Sequence, residues 1–382
     1  MIATDIRYIG VNDRDIDLFE GQYVVPNGIS YNAYVILDEK VAVMDTVDVR
    51  KAEEYLRNVE QALDGRQPDY LVISHMEPDH SSSIQAFAAK YPNVTLVGNA
   101  KTWPILANFG DVPCEKLTVA EGDTLSLGRH TLTFTMAPMV HWPEVMMTYD
   151  STDKILFSAD AFGKFGALDA EEEWDCEARR YYFNIVGKYG AQVLAVLKKA
   201  AALDIQTICP LHGPVLTDTI PHVLKLYTTW ASYGVESEGV FIAYATLHGH
   251  TAAAARKLAE ILKQKGAAKV SGADLARDDM AEAIEDAFRY GRVVLAASTY
   301  DAGVMPAMAD FLHHLQGKNY QKRRVALIEN GCWAPMAAKG MRALLEGMKE
   351  ISVVEPAVTI RGAMKPADEQ ALEALADAIL SE

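Results

Sequence analysis

The chain has 382 residues, of which half are hydrophobic and 23% are charged, and its formal net charge at pH 7 is −16. A chain of this length favours two domains, and its negative charge argues against nucleic-acid binding. No apolar run reaches the roughly 18 residues of a membrane span, and the acidic N-terminal stretch lacks the features of a signal peptide, so we expect a cytoplasmic protein without a membrane partner. The cysteines stand far apart without a CxxC pair, which excludes a zinc ribbon or a rubredoxin-type iron site and favours ordinary reduced residues, at Cys114, Cys176, Cys209 and Cys332.

Short strands and helices alternate through the first part of the chain. The apolar patterns predict strands at 31–37, 41–44, 70–73 and 94–97, and helices at 50–64 and 81–90. From 124 to 157 the pattern changes to β-hairpins, a largely helical stretch follows at 171–203, and a last strand is predicted at 206–209. Strands in both halves with helices between them predict two sheets packed in layers.

The pattern of predicted strands and helices changes after about residue 235. Strands are predicted at 239–245, 268–272, 292–297, 324–328 and 351–354, separated by helices at 251–265, 278–290, 306–316, 335–349 and 367–380. Strict alternation of strand and helix over about 140 residues predicts a doubly wound parallel sheet. We place the boundary in the acidic, glycine-containing stretch Gly234–Gly239, which gives domains 1–235 and 236–382.

Histidines and carboxylates follow strand ends at four separate places in the first domain. The first is the segment SHMEPDHS, Ser74–Ser81, and the full set of candidates is His75, Glu77, Asp79, His80, His141, Asp160 and His212. Taken alone, Asp160 is more typical of a cap or turn, and His141 and His212 of ordinary core or surface histidines. Together, the four places predict a site for two metal ions in which one carboxylate can bridge, since imidazole and carboxylate are the usual ligands of Fe(II) and Zn(II).

Glu77 indicates which chemistry such a site would perform. Hydrolytic zinc enzymes often carry a histidine at this point of a similar cluster. A glutamate adds negative charge and a hard oxygen donor, which suits iron cycling between Fe(II) and Fe(III). It also weakens the Lewis acidity that a zinc hydrolase needs to activate water. Glu77 therefore favours redox chemistry over hydrolysis.

Three loops of the second domain would meet at the carboxyl edge of the predicted sheet, where open α/β sheets bind ligands. The first, Thr246–Thr251, joins a strand to a helix and can offer backbone N–H groups to a phosphate, although a simple turn with an N-cap at His250 or Thr251 fits equally well. It is neither a GxGxxG fingerprint nor a P-loop. The candidate cofactor-binding residues are Thr246, His248, Gly249, His250, Thr251, Ser298, Thr299, Tyr300, Asp301, Gly303, Asn330, Gly331, Cys332 and Trp333.

The order HxExDH, followed by His, Asp and His at growing distances, resembles the metallo-β-lactamase fold. Its glutamate variant resembles the flavodiiron proteins, also called A-type flavoproteins, and the resemblance covers essentially the whole chain. It implies an α/β protein with an N-terminal metallo-β-lactamase-like αββα sandwich and a C-terminal flavodoxin-like doubly wound parallel sheet. It also implies His75, Glu77 and His141 on one iron, Asp79, His80 and His212 on the other, and Asp160 between them. In the family, the residue equivalent to His80 does not always bind its iron.

The same resemblance implies FMN in the second domain. Thr246–Thr251 would hold the phosphate and the other two loops would flank the ring, with Trp333 as the stacking side chain. The sequence departs from the family at two points. The family's phosphate loop commonly has tyrosine or threonine near His248, and glycine where Cys332 precedes the tryptophan.

The activity that the resemblance implies is reduction of O2 to water or of NO to N2O, with electrons passing from an external donor through FMN to two iron ions. Rubredoxin and reduced F420 both stay open as donors, and no catalytic residue beyond the metal ligands is predicted. In the family, the FMN of one subunit lies against the iron site of the other, which implies a head-to-tail homodimer or a dimer of dimers. Two alternatives stay open: a dinuclear zinc hydrolase with an appended flavodoxin-like module, and an electron carrier that has lost its iron.

Overall fold

The computed structural model describes residues 4–381, which form two compact units. The first unit consists of the chain up to Tyr182 together with Tyr189–Thr228, and the second of Phe183–Lys188 together with the chain from Thr229 onward. The domains 1–235 and 236–382 stay our prediction for the division along the sequence.

The first unit contains fifteen strands and seven α-helices among the described residues. Its strands are β1 (Ile6–Tyr8), β2 (Val11–Asp13), β3 (Leu18–Phe19), β4 (Tyr23–Val24), β5 (Ile29–Tyr31), β6 (Tyr34–Leu37), β7 (Val41–Met44), β8 (Tyr70–Val72), β9 (Thr95–Asn99), β10 (Lys116–Val119), β11 (Thr124–Ser126), β12 (Thr131–Met136), β13 (Met146–Asp150), β14 (Ile155–Phe157) and β15 (Thr207–Cys209). Its helices are α1 (Ala52–Leu63), α2 (Pro78–Ser81), α3 (Ile84–Lys90), α4 (Thr102–Phe109), α5 (Trp174–Tyr181), α6 (Gly190–Ala200) and α7 (Ile220–Ala231), of which the last three residues are assigned to the second unit.

Two sheets face each other in this unit. One has the order β1-β6-β7-β8-β9-β10 and the other β11-β12-β13-β14-β15. Apolar side chains of both sheets meet in one core, among them Val72 and Val97 from the first sheet and Phe134 and Ile155 from the second. Strands β7 to β10 run parallel, as do β14 and β15, so several carboxyl ends lie along the same edge of each sheet. The candidate metal ligands lie in loops that leave those ends and in the loop after β12.

The second unit is a single sheet flanked by helices, parallel except for the short β19, which pairs antiparallel with β18. Its strands are β16 (Ser237–Ala245), β17 (Val270–Asp274), β18 (Tyr290–Tyr300), β19 (Gly303–Val304), β20 (Arg323–Asn330), β21 (Ile351–Val353) and β22 (Val358–Ile360), and its helices are α8 (His250–Gln264), α9 (Met280–Arg289), α10 (Pro306–Gly317), α11 (Ala337–Leu345) and α12 (Pro366–Leu380). The strands pair in the order β17-β16-β18-β20, with β21 and then β22 along the outer side of β20. This is the strand order of flavodoxin-like folds.

The predicted fold class is confirmed, while several predicted elements differ in detail. The single strand predicted at 31–37 is interrupted at Asn32 and Ala33, and its two parts, β5 and β6, pair in different sheets. The helix predicted at 81–90 is two helices, because Pro78 starts a first turn and the chain bends again at Ser82 and Ser83. The elements that were not predicted are strands β1, β2, β3, β10, β19 and β22 and helices α4 and α7. Among residues 4–381, no helix combines the length and the hydropathy that crossing a membrane requires.

Candidate metal centre and cofactor cradle

The segment after β8 presents four candidate ligands from one short loop and helix. Glu77 is extended, with φ −61° and ψ 140°, as expected before a proline, and Pro78 then opens α2. His75 and Glu77 are two residues apart in this non-helical stretch, so their side chains can point the same way. Asp79 and His80 lie in the first helical turn. The change from extended chain to helix therefore divides the four side chains into two pairs.

The first pair, His75 and Glu77, lies close to His141 and to one oxygen of Asp160. The Nε2 atoms of His75 and His141 lie 3.3 and 3.0 Å from Glu77 Oε2. Both Nε2 atoms also lie 3.2 Å from Asp160 Oδ2. His141 comes from the loop between β12 and β13, and Asp160 follows β14. These four side chains converge as one cluster of possible ligands.

The second pair, Asp79 and His80, lies close to His212, which is in the loop after β15. The Nε2 atoms of His80 and His212 are 3.0 Å apart and lie 3.2 and 3.3 Å from Asp79 Oδ2. Asp160 Oδ1 is 3.3 Å from His80 Nε2 and 3.7 Å from His212 Nε2. Asp160 therefore turns one carboxylate oxygen toward each group, which is the arrangement that a bridging ligand requires. The structure brings together all seven of the predicted metal ligands.

The carboxylates of this centre fit a cation. Both oxygens of Asp79 and Oδ1 of Asp160 are buried and accept no hydrogen bond from the described residues. A buried carboxylate without donors is unfavourable unless a positive charge compensates it. Oxygen and imidazole donors in this number match iron or zinc, and the donor set itself leaves room for two ions. The residues therefore fit a dinuclear metal site.

The carboxylates of this centre raise the pKa values of its histidines His80 and His141. Burial lowers the pKa of His80, but the negative charges of Asp79 and Asp160 outweigh it and raise the pKa to about 10. Burial likewise lowers the pKa of His141, and hydrogen bonds with Asp160 and Glu77 raise it to about 9. Metal binds neutral imidazole, so a metal ion must displace these protons and its affinity must rise with pH.

Two partners that orient the ligands escaped the sequence analysis. Glu144 Oε1 accepts hydrogen bonds from His75 Nδ1 and from the Met76 amide, each at 2.8 Å. The Ser30 carbonyl accepts from His212 Nδ1 at 2.7 Å. Such partners fix the ring and the tautomer of a metal-binding histidine. The one feature of the sequence that could have indicated Glu144 is its position three residues after His141, in the same loop.

Aromatic rings surround the second group. Phe19, Tyr31 and Tyr181 have ring centroids 5.4, 6.0 and 5.6 Å from that of His212. Tyr31 and Tyr181 are fully buried. These rings leave little room for water around the imidazole, which strengthens every electrostatic interaction at the site.

A cavity of about 310 Å³ lies against the segment that carries Glu77 and Asp79. Its other walls come from the β3–β4 hairpin and from Tyr31, Asp48 and Arg50. The Arg50 guanidinium binds both carboxylate oxygens of Asp48 and donates to the Tyr31 hydroxyl at 3.1 Å. A small molecule can therefore approach the two metal-facing carboxylates from this side.

In the second unit, a cavity of about 300 Å³ lies at the carboxyl edge of the parallel sheet. We call the loops around it the cofactor cradle: Thr246–Thr251, Ser298–Gly303 and Asn330–Ala334. Eleven of the predicted cofactor residues line the cavity, namely Thr246, His248, His250, Thr251, Ser298, Thr299, Asp301, Asn330, Gly331, Cys332 and Trp333. Gly249, Tyr300 and Gly303 belong to the same loops without lining it. Lining residues that the sequence analysis missed are Leu247, Ala302, Ala334 and Gly362.

Hydrogen bonds join the loops of the cradle. Ser298 Oγ lies 2.9 Å from Thr251 Oγ1 and accepts from the Leu247 amide at 3.3 Å. Asn330 exchanges two hydrogen bonds with Gly362, from Nδ2 to the carbonyl at 2.9 Å and from the Gly362 amide to Oδ1 at 3.0 Å. This exchange brings Gly362 to the cavity. Its position could not be predicted, because strand β22 just before it was itself missed.

The cradle fits a phosphate-bearing planar ring. Helix α8 begins at His250 with Gly249 as its N-cap, at φ +87°, so the alternative of an N-cap at His250 or Thr251 is wrong. The first amides of a helix have no partner within the helix and point at any anion placed there. At the other side of the cavity, the Trp333 side chain is 88% exposed and available for stacking.

Comparison with protein families matches both units. Residues 29–213 match the model of the ODP family beta lactamases, and residues 241–359 match that of a flavodoxin domain. The anaerobic nitric oxide reductase flavorubredoxin of Vibrio vulnificus is 28% identical over 357 residues, which are 90% of this chain and 72% of that protein. An uncharacterized protein of Methanocaldococcus jannaschii is 30% identical over 374 residues, 95% of this chain and 93% of that protein.

Solved structures agree with these matches over the whole chain. Rubredoxin oxygen:oxidoreductase from Desulfovibrio gigas superposes with a TM-score of 0.92 at 26% identity, covering 99% of this chain and 97% of that one. The flavodiiron protein from Giardia intestinalis gives a TM-score of 0.92 at 26% identity, with 98% and 94% covered. The likeness thus extends over both units, the one with the metal centre and the one with the cofactor cradle.

Proposed function

This chain belongs to the flavodiiron protein family, and we propose that it takes electrons from an external donor through FMN to a di-iron site that reduces O2 to water, NO to N2O, or both. The curated and structural relatives support an oxidoreductase and not the zinc hydrolase alternative. One of them is named as a nitric oxide reductase and another as a rubredoxin oxygen:oxidoreductase. Both gases therefore stay in the proposal.

The observation that carries the proposal is the position of Asp160. Its two oxygens face two separate groups of ligands, so a pair of ions held here would share one carboxylate. We assign His75, Glu77 and His141 to the first iron subsite. We assign Asp79, His80 and His212 to the second iron subsite, with Asp160 between the two.

We assign FMN to the cofactor cradle. The start of α8 supplies amides for the phosphate, and Thr246 and Thr251 supply hydroxyl groups beside it. Trp333 would stack on the ring. His248 and His250 line the cavity and would add donors to the phosphate. Three predicted cofactor residues do not line the cavity, namely Gly249, Tyr300 and Gly303, and they would contribute through the conformation of their loops.

Iron would supply one-electron redox chemistry and open coordination positions, and FMN would connect it to donors of one or two electrons. The residues of this chain provide the rest of the site. Glu144 and Ser30 hold the imidazoles of His75 and His212 in place. Tyr31 and Phe19 limit water around His212, while the cavity beside Glu77 admits a small gas molecule and the protons that its reduction consumes.

The partners and the assembly are part of the same proposal. We propose a separate rubredoxin or reduced F420 as electron donor, and a head-to-tail homodimer or dimer of dimers in which FMN of one subunit serves the iron pair of another. We also propose a cytoplasmic location, because few, widely spaced cysteines without a CxxC pair are typical of proteins in a reducing compartment.

Metal and flavin analysis of the purified chain, combined with product analysis, tests this function. We expect iron near two and FMN near one per chain, with water formed from O2 or N2O formed from NO. Zinc with hydrolytic turnover and no flavin would contradict it. The electron carrier alternative predicts FMN without iron and no multi-electron consumption of either gas.

A further inference from the structure

The loop that carries His212 is tied to a segment far away in the sequence. We call Pro210–Gly213 the His212 loop. The Ser30 carbonyl accepts from His212 Nδ1, and the Ser30 hydroxyl accepts from the Gly213 amide, both at 2.7 Å. The Asn32 amide donates to the Leu211 carbonyl at 2.8 Å. Ser30 in β5 and Asn32 just after it therefore hold the loop by hydrogen bonds on both sides of the histidine.

The side chain of Asn32 adds two further bonds. Its Nδ2 donates to the carbonyls of Pro210, at 2.9 Å, and Gly213, at 2.7 Å. Its Oδ1 accepts from the Tyr8 hydroxyl at 3.1 Å. Asn32 is fully buried. Both N–H donors and the acceptor of the amide are used, so its nitrogen can face only the His212 loop.

The His212 loop makes a turn that depends on such contacts. Gly213 has φ +80°, and a Cβ at that position would lie 2.8 Å from Lys164 Cγ. The loop therefore passes close to its neighbours in a conformation that other residues rarely adopt. The two carbonyls that Asn32 binds belong to Pro210 and Gly213, which enclose His212. Because one side-chain amide, that of Asn32, binds both ends of the loop, it fixes the backbone position of His212 and therefore the place of its imidazole.

We propose that Asn32 is a positioning residue of the second iron subsite, acting on the His212 loop beside the direct bond from Ser30. By binding the carbonyls of Pro210 and Gly213, it keeps His212 Nε2 directed at Asp79 and Asp160. The inference rests on the proposed function, in which His212 is an iron ligand. Asn32 itself touches neither iron nor substrate in this account, and the first iron subsite does not depend on it.

The most informative substitution is Asn32→Asp, which keeps the size of the side chain. It replaces the donating nitrogen by an oxygen that faces two carbonyl oxygens, so the bonds to Pro210 and Gly213 turn into repulsion. We expect the second iron to bind about 10- to 100-fold more weakly, the range typical for loss of a residue that orients a ligand. Tyr8→Phe and Ser30→Ala each remove one bond of the same network, and we expect losses below about tenfold.

The experiment is an anaerobic Fe(II) titration of the metal-depleted, FMN-loaded full chain in competition with a coloured chelator. The electron paramagnetic resonance signal of the half-reduced iron pair provides a second readout, which requires both ions in place. Asn58→Asp is the matched control, because Asn58 Nδ2 also donates to two backbone carbonyls, those of Gly10 at 3.0 Å and Ile9 at 3.5 Å. Melting temperatures of both variants report any general loss of stability.

We expect wild type and Asn58→Asp to bind two irons tightly, and Asn32→Asp to bind one tightly and one weakly, with loss of the paired signal. Equal binding of both irons by Asn32→Asp and wild type would overturn the inference, as would an equal loss from both subsites. If Asn32→Asp does not fold, Tyr8→Phe and Ser30→Ala decide by the same readouts. A wild-type chain that binds no iron pair would instead overturn the proposed function, and this assignment with it.

Discussion

The metal centre and the cofactor cradle differ in the types of residue that line them. The metal centre gathers three carboxylates and four imidazoles, nearly all of them buried, and several carboxylate oxygens accept no hydrogen bond. The cradle is a cavity of about 300 Å³ lined mainly by neutral side chains and backbone, with hydrogen bonds that join its loops to one another. The centre thus needs positive charge to be stable, whereas the loops of the cradle are held together by their own hydrogen bonds. The predictions below test that contrast, from the largest effect to the smallest.

Asp160→Asn should have the largest effect, because Asp160 alone faces both groups of ligands. An amide cannot supply a negative oxygen to each ion, so we expect loss of most iron from both subsites and a fall in O2 or NO turnover of at least about 100-fold, with FMN retained. Iron and flavin analysis together with gas consumption check this. Asp150→Asn is the control, because Asp150 is a buried aspartate bound to His130 instead. Iron at wild-type level in Asp160→Asn would contradict the bridging role.

Removing the two cofactors should affect stability unequally. Ligands that bind only the folded state stabilise it, by about 4 kcal/mol at a thousandfold excess over Kd. Loss of iron also leaves the carboxylates of the centre uncompensated, so chelation should lower the melting temperature of the first unit by roughly 10 °C. Loss of FMN should lower that of the second unit by less. Scanning calorimetry measures both melting temperatures. A larger fall in melting temperature after removal of FMN than after removal of iron would contradict this prediction.

Glu77→His should test whether the carboxylate favours iron. The substitution turns the segment into the pattern of hydrolytic zinc enzymes and removes a negative oxygen that lies close to His75 and His141. We expect iron affinity or turnover to fall by about tenfold or more, and the competition between zinc and iron to shift toward zinc. Metal analysis after growth with both metals checks this. Unchanged iron content and unchanged rates would count against the role of Glu77.

Trp333→Ala should affect the cradle alone. Loss of a stacking ring is expected to weaken FMN binding by about three- to tenfold, with little change in iron content. Fluorescence titration of the flavin-free protein with FMN measures the change, and Trp333→Phe should recover part of the affinity. Equal affinity in wild type and Trp333→Ala would exclude stacking on this side chain.

A pH effect is expected far from both cofactor sites. His130 is fully buried, with Nδ1 2.8 Å from Asp150 Oδ2 and Nε2 3.0 Å from Asp5 Oδ2, while its amide donates to Asp38. Burial lowers the pKa of His130, but the hydrogen bonds with Asp150 and Asp5 outweigh it and raise the pKa to about 9, in spite of the nearby Arg129, which pairs with Asp5 and Asp153.

The raised pKa means that the folded state binds the His130 proton more tightly than the unfolded chain, whose histidine pKa is about 6.5. Its contribution to the free energy of unfolding, at most about 3 kcal/mol, is complete below pH 6.5 and is lost as pH rises through 9. Denaturant unfolding of wild type and His130→Gln between pH 6 and pH 10 measures it. The difference between the two proteins should shrink over this range, and a constant difference would contradict the ionised state.

The sequence was most informative where chemistry follows directly from a strand end. The loops after β8, β14 and β15 each carry a polar residue behind a buried apolar run, so their convergence at one edge could be predicted before any contact was known. The predicted strand 31–37 shows the limit. Its apolar pattern continues on both sides of Asn32, but the side-chain amide of Asn32 binds the carbonyls of Pro210 and Gly213, 178 and 181 residues later, and this tertiary contact breaks the strand. Glu144 escaped for the same reason, because its role depends on a distant histidine.

Stopped-flow reoxidation of the fully reduced protein tests the central claim most directly. Wild type and Asp160→Asn, both loaded with FMN, are mixed separately with O2 and with NO, and the return of oxidised flavin absorbance is followed. We predict fast, multi-electron reoxidation by at least one gas in wild type, slowed by about 100-fold or more in Asp160→Asn. Equal reoxidation rates in the two proteins would show that electrons leave the flavin without the iron pair, and would contradict the proposed function.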